Sequence, residues 1–308
     1  MESKSYTVAI LMATYNGADF LSQQLDSYNN QTYKDWSLYA SDDGSTDDTL
    51  DILKKFREKN SRCEIYDGPR QGFAKNFMSL IQNDQINAKY FAFSDQDDIW
   101  INDKLERAIR FLDSIGDNKP ALFCSRTALI NDKNMPIGYS PLFSKAPSFK
   151  NSILQNIASG NTMVFNSLAR DLLRKLADQQ LVAHDWTLYQ IVTASGGEVF
   201  FDKRPTLLYR QHANNLIGNE MRFSTRAKRF YKALRNEKKK RWNNTNIKNL
   251  SFISSSLTSE SINIIDNFEE MRRSNFFKRL KLYCSSGLYH QTLLGSMTNI
   301  LYVMLNKL

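Results

Sequence analysis

The first 118 residues alternate between short apolar runs and segments in which apolar positions recur at helical spacing. The runs are rich in β-branched and aromatic residues, and the segments between them repeat apolar residues every three or four positions. Alternation of this kind with short connections predicts a parallel, doubly wound α/β sheet. The predicted strands cover 6–12, 36–41, 63–67 and 90–94, and the predicted helices cover 19–31, 45–56, 72–83 and 102–115.

Polar clusters follow three of these strands directly. They read ATYNG (13–17), DDGSTDD (42–48) and DQDD (95–98). In open parallel sheets, ligands bind beyond the carboxyl ends of the strands. The three clusters therefore predict a binding cleft at one edge of the sheet.

The rest of the chain changes character twice. From about 120 to 212 the pattern is mixed, with short strand-like runs among helical segments. From about 220 onward strand signals largely vanish, and the tail is helical, first basic and then apolar and aromatic. We therefore expect an α/β domain over 1–218 and a helical extension over 219–308.

The charge of the chain is concentrated in one segment. The net charge is +9, and residues 222–242 alone contain ten Lys or Arg and one Glu. A nucleic-acid binder more often spreads its positive charge over a whole face. The excess therefore indicates a local role for this one segment, and we expect no nucleic-acid partner.

Cysteine content and hydropathy bear on the compartment. The three cysteines, Cys63, Cys124 and Cys284, have no metal-binding spacing and form no even disulfide set, which fits a reducing compartment. The sequence shows no secretion signal and no apolar run of the roughly 18 residues that a membrane span needs. These features predict a cytoplasmic location.

The DQDD cluster is the strongest candidate for chemistry. Asp95, Asp97 and Asp98 come straight after the buried run YFAFS. Carboxylates crowded at a strand end offer the hard oxygen ligands that Mg²⁺ or Mn²⁺ prefers. The alternative is a helix N-terminus decorated with acids, a purpose that Asp98 alone could serve.

The DDGST cluster with ATYNG is compatible with nucleobase binding. Asp42 could accept a hydrogen bond from the imide N–H of uracil or thymine, and Tyr15 offers a flat face for a base. The alternative for the cluster is a strand-to-helix turn, in which Gly44 permits a left-handed conformation and Ser45 opens the helix. The alternative for Tyr15 is a core aromatic.

Six motifs in this order resemble glycosyltransferase family 2, most closely its bacterial rhamnosyltransferase-like branch. The resemblance covers about residues 6–218 and implies a GT-A fold, with a nucleotide-sugar half over about 1–118 and an acceptor half over about 119–218. It also implies an inverting transfer from a nucleoside-diphosphate sugar. The motifs are ILMATYNGADFL, SDDGSTDDT, GFAKNF, FSDQDDIW, HDWTLY and YRQHANNLIG.

The resemblance assigns a nucleotide-binding set. By it, Asp42 reads the nucleobase, Tyr15 stacks on it, and Thr14 lies beside them. Lys75, in the helix of GFAKNF, lies near the donor. Asp95 lies near the ribose and the metal ion.

It also assigns metal ligands and a base. Asp97 binds the Mg²⁺ or Mn²⁺ that bridges the diphosphate, with Asp95 beside it, and His212 lies where some members supply another metal or phosphate contact. Asp185 matches the general base. Many family members have a Glu-Asp pair here, and this sequence has His184 in place of the glutamate, so the role of His184 is left open. The alternative role for Asp185 is to cap its helix.

The tail suggests how the enzyme reaches its acceptor. Residues 222–242 place Phe223, Ala227, Phe230 and Leu234 on one face of a basic helix. One interpretation is docking on an anionic membrane surface, peripheral on the inner face of the plasma membrane, near a polyprenyl-linked glycan. The alternative is a packed helix with a solvated basic face. The tail 276–308 could complete a membrane-facing patch or form a homodimer contact. Ordinary packing would equally suit its apolar positions, which are Leu293, Met297, Ile300, Leu301 and Met304.

Two other functions stay open from the residues. A metal-dependent nucleotidyltransferase would also use acids at strand ends, but it needs a basic phosphate-binding loop near the N-terminus, and ATYNGADF has no basic residue. A non-catalytic module could bind a sugar nucleotide or, through 222–242, a nucleic acid. Within the glycosyltransferase interpretation, the donor is dTDP- or UDP-linked, with dTDP-L-rhamnose the best single choice on resemblance.

Overall fold

A computed structural model describes residues 7–211 and 237–308. Eleven strands and eleven α-helices lie in these two ranges. The strands are β1 (Val8–Thr14), β2 (Trp36–Asp42), β3 (Cys63–Asp67), β4 (Tyr90–Ser94), β5 (Ile99–Trp100), β6 (Ala121–Ser125), β7 (Ala128–Asn131), β8 (Pro136–Tyr139), β9 (Val164–Asn166), β10 (Glu198–Asp202) and β11 (Leu207–Gln211). The helices of the first half are α1 (Ala18–Asn29), α2 (Thr49–Lys59), α3 (Phe73–Gln82) and α4 (Lys104–Ile115).

The remaining helices follow in two groups. Three short ones lie between the strands of the second half: α5 (Phe149–Ser152), α6 (Ser167–Arg174) and α7 (His184–Ala194). Four more form the C-terminal extension: α8 (Lys238–Phe252), α9 (Ser259–Arg273), α10 (Phe276–Ser285) and α11 (Leu293–Met304). Among the described residues, no helix is both long enough and apolar enough to span a membrane.

The main sheet has seven strands in the order β10-β6-β9-β4-β1-β2-β3. All neighbours are parallel except β9, which runs antiparallel to both β4 and β6. The prediction of a mostly parallel, doubly wound sheet is therefore confirmed. A second sheet, ordered β5-β11-β7-β8, lies beside it.

The core is split by the main sheet into two layers. In β1, Val8, Ile10 and Met12 face the layer that contains α1, α2 and α4. Ala9 and Leu11 face the layer that contains α3, α6 and α7. This alternation arises because successive side chains of a strand point to opposite faces.

The C-terminal helices pack on the second of these layers. Their buried apolar residues, including Leu250, Phe268 and Val303, belong to the same core as Leu11. The alternative in which the tail packs on the α/β domain therefore holds for the inner sides of α8 to α11. The division at residue 218 stays a prediction.

One predicted helix start and one alternative interpretation are wrong. Ser45 does not open α2; that helix begins at Thr49, since Asp47 accepts hydrogen bonds from both the backbone N–H and the hydroxyl of Thr49. Asp98 is not at a helix N-terminus either, because β5 follows it and α4 begins only at Lys104.

Candidate active site

The parallel register brings the three polar clusters to one edge of the sheet. Thr14, the last residue of β1, pairs with Asp42, the last residue of β2. On the other side of β1, Met12 pairs with Ser94, after which the DQDD loop begins. The three loops therefore leave adjacent strands side by side, as the sequence predicts.

Asp42 is a buried carboxylate that organises its own loop. Its Oδ1 accepts from the hydroxyls of Thr14 (2.9 Å) and Ser45 (2.6 Å), and its Oδ2 accepts from the backbone N–H groups of Gly44 (3.1 Å) and Ser45 (2.8 Å). A carboxylate offers about four acceptor positions. The four donors named above already use about that number. The imide N–H of a nucleobase would therefore have to share an Asp42 oxygen with one of them, and recognition of the base by Asp42 stays a prediction.

Its neighbour Asp43 holds a second loop, which the sequence analysis did not assign. Its two oxygens accept from the backbone N–H groups of Arg70 (2.6 Å) and Gly72 (2.7 Å). That loop leads into α3, where Lys75 is partly exposed in the first turn. Asp43 thus sets where Lys75 stands relative to the strand ends.

Tyr15 is not a core residue. Its side chain is 58% exposed, so the alternative of a core aromatic is wrong. Its backbone is fixed by the side chain of Gln96, whose Oε1 accepts from Tyr15 N–H (2.8 Å) and whose Nε2 donates to Tyr15 C=O (3.0 Å). A Cβ at Gly17 would lie 2.3 Å from the Gln96 amide, so a larger residue there would displace this amide from Tyr15.

The three acids of the DQDD loop form one cluster, in which Asp98 is buried while Asp95 and Asp97 are partly exposed. Carboxylate oxygens of Asp95, Asp97 and Asp98 lie within 4.8 Å of one another. Asp98 is fully buried and accepts from the Asn161 amide (2.6 Å) and from the Arg210 backbone N–H (3.2 Å). Burial, with Asp97 and Asp95 nearby, raises the pKa of Asp98 well above its usual value.

A buried lysine lies behind this cluster. The Lys104 ammonium is 3.4 Å from the centroid of the Trp100 ring and donates to the backbone carbonyl of Asn161 (2.5 Å). Burial lowers the pKa of Lys104 well below its usual value, and Asp98 and Asp95 oppose that shift. No sequence signal identifies it, since a lysine in the first turn of an amphipathic helix ordinarily faces solvent.

Asp185 lies close to the acidic cluster, although it is about ninety positions later in the chain. The pKa of Asp95 is raised to about 7, first by burial and then by the negative charges of Asp97 and Asp185. Asp185 accepts from the Asn156 amide (3.0 Å) and from the Gly160 (3.2 Å) and Trp186 (2.6 Å) backbone N–H groups. It lies in the first turn of α7, and Ala183 is the capping residue.

His184 is buried under the base candidate. Its ring stacks on Phe77 at 4.2 Å between centroids and meets Phe93 edge-on at 4.8 Å. Both ring nitrogens lack a hydrogen-bond partner among the described residues, and burial lowers the pKa of the imidazole. The environment therefore favours a neutral histidine that supports Asp185 by packing.

β11 brings the chain back to the acidic loop. Arg210 is fully buried, and its Nε donates to the backbone carbonyl of Asp97 (2.9 Å) while its Nη2 donates to Gln23 (2.9 Å). β11 ends at Gln211. His212, predicted as a metal contact, lies outside the described residues and stays a prediction.

The geometry agrees with what comparison of the sequence finds. The family described as Glycosyl transferase family 2 matches residues 9–181, which contain the loops of Asp42 and Asp97. This chain belongs to glycosyl transferase family 2. The match ends just before Asp185, whose assignment therefore depends on the structure and the HDW motif.

Two relatives align with most of the chain. A dTDP-rhamnosyl transferase, RfbG of Shigella flexneri, is 34% identical over 71% of this chain and 77% of its own length. A UDP-Glc:alpha-D-GlcNAc-diphosphoundecaprenol beta-1,3-glucosyltransferase, WfaP of Escherichia coli, is 25% identical over 70% of this chain and 81% of its own. The resemblance to the rhamnosyltransferase-like branch is confirmed.

Solved structures agree on the fold. S. aureus TarS 1–349 in complex with UDP superposes with a TM-score of 0.51 at 19% identity, over 66% of this chain and 60% of that one. The same protein with UDP-GlcNAc gives a TM-score of 0.52 at 18% identity, over 68% and 60%. The predicted GT-A fold with a C-terminal helical extension is therefore confirmed.

Proposed function

We propose that this family 2 glycosyltransferase is metal-dependent and inverting, and that it moves L-rhamnose from dTDP-L-rhamnose to a growing cell-surface glycan. The observation that carries the proposal is that two adjacent residues bind acids of both sites: the Asn161 amide donates to Asp98 of the acidic loop (2.6 Å), and the Gly160 N–H donates to Asp185 (3.2 Å). A donor site and a base site about ninety positions apart in the chain meet there. Membership of the family favours sugar transfer over nucleotidyl transfer or a purely binding role.

The acidic cluster fits a divalent ion through two of its three members. Asp98 already accepts hydrogen bonds from Asn161 and Arg210, so its oxygens are committed to the protein. Asp95 and Asp97 are partly exposed to the cleft and carry the hard oxygen donors that Mg²⁺ or Mn²⁺ takes. A bound ion would offset the charge on the departing diphosphate.

Asp185 is proposed to take the proton from the acceptor hydroxyl. As the new bond to the anomeric carbon forms, the glycosyl–phosphate bond breaks and the nucleoside diphosphate leaves with its electron pair. Attack from the face opposite the diphosphate inverts the anomeric centre. Asn156 and the Gly160 N–H hold the Asp185 carboxylate in place for this step.

The nucleotide is proposed to lie across the first two strand ends. The exposed ring of Tyr15 supplies a stacking face, Thr14 and Asp42 form the floor beneath it, and Lys75 stands at the start of α3. The relatives support two donors: RfbG is named for dTDP-rhamnosyl transfer and WfaP for UDP-Glc. The higher identity to RfbG favours dTDP-L-rhamnose.

The acceptor is proposed to be polyprenyl-linked, at the inner face of the plasma membrane. The support is the name of WfaP, which specifies a diphosphoundecaprenol acceptor. The basic segment 222–242 is proposed to bind the anionic surface; only 237–242 of it, at the start of α8, lies in the described part of the chain. A homodimer stays a prediction.

A donor screen tests the proposal. Purified protein is incubated with Mn²⁺ or Mg²⁺ and each of dTDP-L-rhamnose, UDP-glucose and UDP-N-acetylglucosamine, with and without a lipid-linked acceptor extract. We expect nucleoside diphosphate release with the rhamnose donor, stimulated by acceptor and abolished by EDTA, and a product of inverted anomeric configuration by NMR. Turnover that is insensitive to EDTA would refute the metal requirement, and turnover of a UDP donor alone would reassign the sugar.

A further inference from the structure

One face of α11 carries an exposed row of apolar side chains. Leu293, Met297, Ile300 and Met304 follow helical spacing and are 80%, 60%, 43% and 43% exposed. Side chains three, four and seven positions apart lie on one face of a helix. The protein-facing side of α11 is formed by other residues, namely Asn299, Tyr302 and Val303, which are buried.

The preceding helix adds to this surface. α10 packs against α11 and carries Phe277, which is 82% exposed, with Phe276 edge-on to it at 5.4 Å between ring centroids. Exposed aromatic and aliphatic side chains on two helices that pack against each other are unusual for a surface that faces only water. We call the α11 row together with Phe277 the apolar face.

The segment that carries the apolar face is basic. Residues 276–308 contain four Lys or Arg and no Asp or Glu. Lys278 pairs with Glu270 of α9 (2.7 Å) and Arg279 is buried, so Lys281 and Lys307 carry the remaining positive charge of this segment. An apolar face with basic residues beside it is complementary to a bilayer with anionic headgroups.

One end of the apolar face is tied to the catalytic base. Just before α11, the Gln291 side chain accepts from the Lys145 N–H (3.0 Å) and donates to the Lys145 carbonyl (2.9 Å), and the Gln291 backbone N–H donates to Gln155 Oε1 (3.0 Å). Gln155 directly precedes Asn156, which binds Asp185. The Lys145 ammonium itself donates to the His290 carbonyl (2.8 Å), which places a cation at this end.

The other end of the apolar face is tied to the basic start of α8. The Arg272 guanidinium donates to the Leu308 carbonyl (2.9 Å) and to the Lys240 carbonyl (3.4 Å). Lys240 stands in the run Lys238–Arg241 at the start of α8. Basic groups therefore flank the apolar face at both ends.

We propose that the apolar face docks on an anionic membrane surface and turns the acceptor side of the cleft toward it. Leu293, Met297 and Phe277 enter the boundary between headgroups and acyl chains, and the flanking lysines contact the phosphates. This inference rests on the proposed function, in which Asp185 lies on the acceptor side. Gln155 binds Gln291 just before α11, and the next residue, Asn156, binds Asp185, so the docking surface is connected to Asp185. The membrane contact itself depends on the described C-terminal helices and is separate from the segment 222–236.

Vesicle sedimentation with the full chain tests the docking. The test variant is Leu293→Gln with Met297→Gln, and the matched control is Leu142→Gln with Met135→Gln, since Leu142 and Met135 are 51% and 60% exposed on another part of the surface. With vesicles of phosphatidylcholine and phosphatidylglycerol, we expect the test variant to partition about tenfold more weakly than the wild type and the control to match the wild type. We also expect the wild type to leave pure phosphatidylcholine vesicles largely unbound.

Three outcomes would overturn the docking. Equal partitioning of test and control variants would remove the apolar face from membrane binding. A dimer in light scattering that dissociates in the test variant would make a second copy its occupant. A fall in the thermal midpoint of the test variant alone, with partitioning unchanged, would show that another part of this chain covers it.

The failure of the proposed function would look different. Binding of dTDP with Mn²⁺ by calorimetry reports the donor site without vesicles or acceptor. We expect the test variant to bind dTDP as the wild type does. Loss of vesicle partitioning with dTDP binding intact supports the docking surface, whereas normal partitioning of a wild type that binds no sugar nucleotide would refute the proposed donor chemistry alone.

Discussion

The side-chain amide of Gln96 pairs with both backbone groups of Tyr15, a residue 81 positions earlier in the chain. The amide fixes the distance between the loop that presents the Tyr15 ring and the loop that carries Asp95 and Asp97. In the proposed placement of the donor, the first loop meets the nucleobase and the second meets the diphosphate, so the spacing of the two loops would have to match the length of the donor.

Replacing Gln96 tests this spacing. We expect Gln96→Ala to raise the donor KM about tenfold, because two hydrogen bonds of about 1 kcal/mol each are lost between the loops. Steady-state kinetics with varied donor measures the change. The matched control is Gln82→Ala, an exposed glutamine at the end of α3. A donor KM equal to that of the control would mean that the loops keep their spacing without the amide.

Asp97 is the acid that we expect metal-dependent turnover to need most. In Asp97→Asn the carboxylate loses its charge and most of its affinity for a hard cation. We expect donor turnover to become undetectable and Mn²⁺ binding, followed by electron paramagnetic resonance, to be lost. Asp51→Asn, on the exposed face of α2, serves as the control. Full activity of Asp97→Asn would exclude Asp97 from the reaction.

Asp185 should separate binding from chemistry. We expect Asp185→Asn to bind dTDP with the affinity of the wild type and to transfer sugar about 10²–10⁴-fold more slowly, the usual range for removal of a general base. Calorimetry measures the first quantity and product formation the second. Asp178→Asn, at an exposed position before the HDW motif, should change neither. Retained transfer in Asp185→Asn would leave that residue only its structural hydrogen bonds.

The burial of His184 predicts that the free energy of unfolding depends on pH. Its folded pKa lies below the unfolded value of 6.5, chiefly because of burial, with Asp185 acting in the opposite direction. The unfolded chain therefore binds the proton more readily, so the contribution to stability is complete above about pH 6.5 and is lost as the pH falls toward the folded pKa.

His184→Phe isolates that effect. The phenyl ring has no proton to gain and can keep the stack on Phe77. Urea unfolding between about pH 5 and pH 8 should show a shallower acid-side loss of stability in the variant than in the wild type, by up to about 1.4 kcal/mol per pH unit. Parallel pH profiles would mean that the imidazole gains its proton as easily in the folded protein as in the unfolded chain.

The pattern of the sequence predicts which loops meet at the edge of the sheet but does not predict which later segments join them. Thr14, Asp42 and Asp95 fall at strand ends because the alternation of strands and helices places them there, and their convergence follows from a parallel register. The proximity of Asp185 to Asp95 does not follow from any local pattern. It depends on a helix in the mixed region, and only the resemblance to a family pointed to it.

Other features were missed because they are long-range pairs. The Gln96–Tyr15 pairing and the position of Lys104 behind the acids join segments that carry no shared local signal. The start predicted for α2 was wrong because Ser45 serves Asp42 instead of the helix. In α11 the apolar spacing predicts one buried face, yet Leu293 and Met297 lie outside, since periodicity does not tell which face meets the protein.

The reversed direction of β9 has a consequence for how the enzyme can change. Because β9 runs antiparallel to β4, its beginning lies at the catalytic edge of the sheet. The short turn Gly160–Thr162 just before it therefore reaches both groups of acids: Asn161 binds Asp98, and the Gly160 N–H binds Asp185. An insertion or deletion in this turn would displace the acidic loop and Asp185 together, so we expect new specificities to evolve more readily in loops that touch one of them alone.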